Sequence, residues 1–169
     1  MSVLDQNALE ALAAEVGALL LRNGLKLATA ESCTGGWVAQ CLTAIVGSSD
    51  WFERGFVTYS NAAKNEMLGV AYDVLNAQGA VSEATAAAMA AGALRSSHAD
   101  WALSITGIAG PGGGLPDKPI GTVCFAWVGP DKTLVTQTCH FSGAREAVRA
   151  QSVAHALAGV LEHAASLSA

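Results

Sequence analysis

Charge is scarce in this sequence, and basic charge is scarcer still. Of 169 residues 14% are charged, with nine lysines and arginines against fourteen acids and a net charge of −5. That balance excludes general nucleic-acid binding, which depends on a clustered basic surface. It leaves room for a local anion site, since a few arginines can build one inside an acidic protein. Long hydrophobic runs are also missing. None reaches the roughly 18 residues of a membrane span, and the longest uncharged stretch, Ser32 to Ser49, is broken by Gly, Thr, Gln and Ser. The start, Met1 to Asp5, has no basic region ahead of an apolar run, so it does not read as a signal peptide. Four cysteines (Cys33, Cys41, Cys124 and Cys139) show no CxxC spacing and are expected as free thiols. The histidines at 98, 140, 155 and 163 are scattered, with no HExxH or Cys/His cluster, so no metal is expected, and a surface position is expected for the His155–His163 pair. The expectation is a soluble, cytoplasmic protein that binds neither membrane nor nucleic acid.

What is present is apolar content, 51% of the chain, much of it alanine, which favours tightly packed helices. Taken in order, a helix over residues 4–23 is stopped by Gly24, and a short alternating strand covers Leu25 to Thr29. A helix follows over 36–46, then a strand from Phe52 to Tyr59. Asn61 is the expected N-cap of a helix reaching Leu68, and a short helical piece covers Tyr72 to Gln78. Ser82 caps an alanine-rich helix to about Ser97, and Trp101 to Ile105 alternates as a strand. Two β-rich runs, Ile120 to Val128 and Leu134 to Phe141, flank a turn at Gly129 to Lys132, and a last helix runs over 143–163 with Ala147, Val148, Ala154, Leu157 and Leu161 facing inward. Alternating strands and helices predict one α/β domain over 1–169. Its architecture is a three-layer α/β/α sandwich with a mixed, mostly parallel sheet and a C-terminal β-hairpin.

The chain's chemistry gathers at Ala30-Glu-Ser-Cys-Thr-Gly-Gly-Trp37, where a strand ends and a helix begins. Such a junction exposes free backbone N–H groups and the positive end of a helix dipole, and glycines let a ligand approach the backbone. Ser32 can cap the helix, hold an anion or attack a carbonyl. Thr34, Gly35, Gly36 and the free amides are suited to holding a developing oxyanion. The pattern is neither the G-x-S-x-G elbow, because residue 30 is alanine, nor a P-loop, because no Gly-Lys-Ser/Thr follows.

Lys64 is the candidate base. In the first turn of its helix a lysine opposes the dipole, and the same field lowers its pKa, as a neutral base requires. A solvated surface lysine is the competing reading. Tyr59, five residues earlier, either relays a proton and orients the lysine or is a half-buried strand tyrosine. The glycine-rich run Thr106-Gly-Ile-Ala-Gly-Pro111 leaves a strand end, where α/β sheets bind ligands, so Thr106, Gly107, Ala109 and Gly110 either line a pocket or simply connect. Arg145 and Arg149 share a face at the start of the last helix, where they either bind an anion or pair with Glu146 and other acids.

These segments, with Gly47-Ser-Ser-Asp-Trp-Phe-Glu-Arg-Gly-Phe-Val-Thr-Tyr-Ser-Asn61, Gly79-Ala-Val-Ser82 and Phe141-Ser-Gly-Ala-Arg145, resemble the CinA C-terminal-domain family, the nicotinamide-nucleotide amidohydrolases. The resemblance covers nearly the whole chain. It implies hydrolysis of the carboxamide of nicotinamide mononucleotide to nicotinic acid mononucleotide and ammonia, in pyridine-nucleotide salvage. It implies a catalytic Ser32, Lys64 and Tyr59, with Arg145 for the phosphate, and no metal or organic cofactor. Ser48 lies in another family-like segment and Cys33 adjoins Ser32, so each is an alternative participant. The family's association with competence and DNA damage supplies the other reading, a non-catalytic nucleotide-binding or interaction module. A homo-oligomer, dimer or larger, is expected, with Arg145 reaching into a neighbour's pocket as one arrangement.

Overall fold

The computed structural model describes residues 4–165. Residues 1–3, part of the segment read for a signal peptide, and 166–169 lie outside it. The first helix, α1 (Gln6–Arg22), starts two residues later than predicted because the Asp5 carboxylate caps it, accepting from the Ala8 N–H at 2.9 Å. It ends in a left-handed turn at Gly24. There the Leu25 N–H reaches back to the Leu20 carbonyl and the Gly24 N–H to that of Leu21. That turn takes Leu25 out of the first strand, so β1 is Leu27–Glu31 and not residues 25–29. Every residue of β1 is buried, a central strand covered on both faces and not the half-buried one its alternation suggests.

The order continues with α2 (Trp37–Thr43), a single 3₁₀ turn at Ser48–Asp50, and β2 (Phe52–Val57). Next are α3 (Asn61–Leu68), α4 (Tyr72–Gln78), α5 (Glu83–Arg95) and β3 (Trp101–Gly107). Last come β4 (Thr122–Val128), β5 (Leu134–His140) and α6 (Arg145–Ala165). Ser82 caps α5 as predicted, accepting from the Thr85 N–H. The cap of α3 is Ser60 and not Asn61: its Oγ accepts from the Ala63 N–H at 3.0 Å. Both residue types cap well, and the serine shifts the helix by one residue.

The sheet runs β2-β1-β3-β4-β5. β1 pairs in parallel with β2 and β3, whereas β3–β4 and β4–β5 are antiparallel. Helices cover both faces. On one, α1, α2 and α6 enclose a core of large residues such as Leu27, Leu103, Ile105, Phe125, Trp127 and Leu157. On the other, α3, α4 and α5 pack through a core rich in alanine, with Ala30, Ala86, Ala90, Ala93, Ala102 and Ala126. Small side chains let backbones come close: a Cβ at Gly92 would fall 2.0 Å from the Leu68 carbonyl oxygen. On α6, Val148 and Leu157 are buried as predicted, but Ala147 is exposed and Ala154 and Leu161 are only partly buried.

This topology fixes where a ligand site falls. From β1 the chain crosses by α2 on one face to β2, then returns by α3–α5 on the other face to β3 on β1's far side. The two connections diverge at the C-terminal end of β1 and open a crevice there, the usual ligand position in open α/β sheets. Ser32 is the first residue beyond that end.

Candidate active site

Parallel pairing sets Glu31 level with Val57 of β2 and Ile105 of β3, so the segments following all three strands converge. The Ser32 N–H donates to the Ile105 carbonyl at 3.0 Å and the Thr58 N–H to that of Glu31 at 2.9 Å, which extends the strand register into the site. A cavity of about 180 Å³ lies there, lined among others by Ser32, Tyr59, Lys64, Thr106, Ala109 and Arg145.

Strand pleating puts successive residues on opposite faces. Glu31 therefore points toward α2 and Ser32 toward α3, where Lys64 Nζ lies 3.0 Å from Ser32 Oγ. Nζ also donates to the Thr58 carbonyl at 3.0 Å and lies 3.5 Å from that of Tyr59. Lys64 is 1% exposed, and every one of these partners is neutral. Burial therefore holds its pKa below the ordinary lysine value. The predicted direction is right and its cause differs. With Ser60 as cap, Lys64 is the fourth helical residue, and desolvation dominates over any first-turn dipole effect.

Cys33, the other nucleophile considered, is a buried thiol in the large-residue core, pushed up to about 12 by that burial. A Cβ at Gly107 would sit 3.1 Å from its sulfur and 2.8 Å from a Val123 methyl, so glycine is required where β3 passes the nucleophile loop. Ser48 is not part of the cavity. Its 3₁₀ turn precedes β2, and the Trp51 carbonyl at the end of that turn accepts from the Leu27 N–H, at the opposite end of the sheet from Ser32.

The loop from Ser32 to Gly36 is tightly held. Gly35 and Gly36 take φ of +60° and +100°, the left-handed region that glycine tolerates. The Gly35 N–H donates to the Ser32 carbonyl at 3.0 Å, and the Gly36 N–H faces the Glu31 carboxylate. The Gly35 amide is thus committed to the loop, and of the predicted donors Cys33 belongs to the cavity lining, with an N–H that takes no backbone acceptor among the described residues. Thr34, Gly35 and Gly36 thus shape the loop and do not line the cavity.

The Glu31 carboxylate, 1% exposed, accepts from the N–H groups of Val38 at 2.9 Å and Ala39 at 3.1 Å. It binds the first turn of α2 from inside, as an anion does at a helix N-terminus, and burial raises its pKa. Sequence reasoning overlooked this residue. Its signal was an acid closing a strand of apolar and small residues just before a helix.

The remaining predicted residues come from loops and α6. Thr106 lines the cavity, but its hydroxyl donates to the Ala80 carbonyl at 2.7 Å. Arg145 donates from Nη1 to the Gly110 carbonyl at 2.7 Å and from Nη2 to the Tyr59 hydroxyl at 3.1 Å. It therefore lines the cavity of its own chain. Tyr59, 64% exposed as a residue, approaches Lys64 through its main-chain carbonyl, while its phenol is directed to Arg145 at the mouth. A second, shallower cavity of about 370 Å³ adjoins the first across Arg145, with Trp37, Glu146 and Arg149 as its other walls.

Among the described residues no group of three or more His, Cys, Asp or Glu could hold a metal ion, and no helix is long and apolar enough to cross a membrane. The histidines expected on the surface are not free of the fold: His155 packs against Phe125, Trp127 and Phe141, and burial lowers its pKa.

Comparison with known proteins places this geometry. The model of the CinA C-terminal domain matches residues 9–164. The chain is 54% identical over 146 residues to the nicotinamide-nucleotide amidohydrolase PncC of Escherichia coli K12, covering 86% of this chain and 88% of that protein. It is 50% identical over 154 residues to the PncC of Enterobacter agglomerans, covering 91% and 94%. Among solved structures, the competence/damage inducible protein CihA of Agrobacterium tumefaciens superposes with a TM-score of 0.89 at 43% identity, covering 91% of this chain and 94% of that one. A match across nearly the whole sequence, with the same fold, settles the assignment: the chain belongs to the CinA C-terminal domain family.

Proposed function

We propose that this protein hydrolyses the carboxamide of nicotinamide mononucleotide, giving nicotinic acid mononucleotide and ammonia, by a covalent serine mechanism. The observation that carries the chemistry is the 3.0 Å contact between Ser32 Oγ and a buried Lys64 that has only neutral partners. The substrate follows from relatives named nicotinamide-nucleotide amidohydrolase at about half identity.

Neutral Lys64 accepts the Ser32 proton as Oγ attacks the amide carbon. The carbonyl oxygen becomes an oxyanion, held by the N–H group of Cys33. The lysine ammonium then returns its proton to the nitrogen as the C–N bond breaks, and ammonia leaves an ester on Ser32. Water attacks that ester and gives its proton to Lys64, which returns it to the departing Oγ. No step requires a metal or organic cofactor. Thr58 and Tyr59 hold the amine by their carbonyls, and the Tyr59 phenol lies beside the substrate at the mouth. The pyridine and ribose occupy the smaller cavity against Thr106 to Ala109. Arg145, between the two cavities, takes the phosphate with the donors left over from Gly110 and Tyr59.

The test is ammonia release from nicotinamide mononucleotide, with EDTA present, by wild type, Ser32→Ala and Lys64→Ala. Release by the wild type alone supports the reading, and release that survives Ser32→Ala removes it. A homo-oligomer, dimer or larger, belongs to the same proposal, and a concentration-independent monomer in sedimentation velocity would refute that part.

A further inference from the structure

Asn61 lines the cavity, and the mechanism above leaves it idle. As the expected cap of α3 it would have turned its side chain to the amides of its own helix, but Ser60 takes that place. Ser60 is extended (φ −94°, ψ 162°), and its hydroxyl turns back to the helix while its neighbours Tyr59 and Asn61 line the cavity. The other polar side chains there are committed: Lys64 Nζ to Ser32 Oγ, the Thr106 hydroxyl to the Ala80 carbonyl, and Arg145 to the Tyr59 phenol. The Asn61 carboxamide has no partner among the described residues. Its hydrogen-bonding groups are all left for a ligand. The wall formed by Ala80, Val81 and Ala109 adds no polar side chain.

Resting on the serine-amidase reading, we infer that Asn61 binds the vicinal hydroxyls of the substrate's ribose and so selects a ribosylated pyridine. Asn61 stands three residues before Lys64, one turn away on the same face of α3, and two after Tyr59, whose phenol meets Arg145 at the mouth. The reacting amide carbon belongs at Ser32 and the phosphate at Arg145, so the group between them, the ribose, passes Asn61. A carboxamide carries N–H donors and an acceptor oxygen side by side, and each hydroxyl of a cis diol both donates and accepts. Nδ2 can therefore donate to one hydroxyl oxygen while Oδ1 accepts the proton of the other. Being neutral, Asn61 has no charge to draw the phosphate from Arg145. The residue is exposed, so the pair competes with water and is worth only the modest net value of neutral hydrogen bonds.

The test sets Asn61→Ala against wild type with two compounds, nicotinamide mononucleotide and its analogue lacking both ribose hydroxyls. Each is followed by ammonia release and by calorimetric affinity, the latter in a Ser32→Ala background. Two neutral hydrogen bonds should be worth about 10- to 50-fold. Asn61→Ala should raise KM and Kd for the mononucleotide by that factor, with kcat within about threefold. The analogue should bind wild type more weakly by a similar factor. Asn61→Ala should then cost the analogue nothing further, since both changes remove the same interaction. Losses that multiply would overturn the inference, as would an unchanged KM. A fall in kcat at constant KM would also overturn it and make Asn61 an oxyanion donor instead. If Asn61→Ala does not fold, Asn61→Leu, close in size to asparagine, carries the comparison. A protein that releases no ammonia but shows the same coupling in affinity sinks the amidase reading alone. One that neither binds nor hydrolyses the mononucleotide sinks both.

Discussion

The nucleophile loop lies between two cationic regions of opposite design. On the α3 side, Lys64 is sealed from water among neutral partners, so its burial works against its charge. On the α6 side, Arg145 and Arg149 grip carbonyls and a phenol with guanidinium groups, which proteins do not deprotonate. One flank holds a cation that is useful because it can give up its proton, and the other holds cations that are useful because they cannot. Net charge is silent on this difference, which comes from residue type and from what each group touches.

Exchanging the two designs is the most severe way to break the comparison. Lys64→Arg keeps a positive charge beside Ser32 but supplies no base. It should lower ammonia release about 10³-fold, as far as Lys64→Ala does, since general-base catalysis contributes roughly 10² to 10⁴. Single-turnover kinetics on folded variants would check this, and appreciable activity in Lys64→Arg would mean that the charge acts and not the proton. The pH profile sharpens the same point. The active form is the free amine, so kcat/KM should climb as pH rises. Its midpoint should lie below the ordinary lysine value because burial lowers the Lys64 pKa. A midpoint at or above the ordinary lysine value would contradict that.

How much of this was legible follows the same division. Ser32 and Lys64 stood out because each is a polar residue at an element's end, one beside glycines and the other just after the expected cap Asn61, which is local information. Arg145 and Arg149 were visible as a pair, but not that their acceptors would be carbonyls 35 and 116 residues away. Such partners depend on how α6 docks. Glu31 was hidden for the same reason, since only the folded α2 shows what its carboxylate binds. Ser48 was suggested by its segment, and the crossover that sends β2 back to the start of β1 carries it to the wrong end of the sheet. The shift of β1 and of the α3 cap were errors of two residues and one, each decided by a competing local hydrogen bond.

On the arginine side the effects should fall on binding. Arg145→Gln removes the charge at the junction of the two cavities and should raise KM for nicotinamide mononucleotide about 10- to 100-fold, the loss of a charge-assisted hydrogen bond. KM for the uncharged-tail riboside should be nearly unchanged. Equal changes for both substrates would mean that Arg145 acts through Tyr59 and Gly110 alone. Cys33→Ala should change kcat by less than about threefold, because a buried thiol pushed up to about 12 supplies no thiolate at neutral pH. Ammonia release by the variant checks this, and loss of all activity would reopen Cys33 as the nucleophile.

The smallest effect concerns stability. An amine whose pKa is lower in the folded chain binds fewer protons there than when unfolded. Its cost to folding is therefore complete at pH below the folded pKa and fades as pH rises to the ordinary lysine value. Lys64→Met replaces that amine with an apolar chain of similar length. At neutral pH the variant should be inactive yet more stable by about 1 kcal/mol, a gain of the size seen when a functional group held at a cost is removed. Urea denaturation at pH 7 and pH 10 measures it, and the gap between variant and wild type should narrow at the higher pH. A variant less stable than wild type at pH 7 would mean that the hydrogen bonds of Nζ to Ser32 and Thr58 outweigh the burial of its charge. Lys64 would then be a cation held by its surroundings, as Arg145 and Arg149 are, and the contrast between the two flanks would disappear.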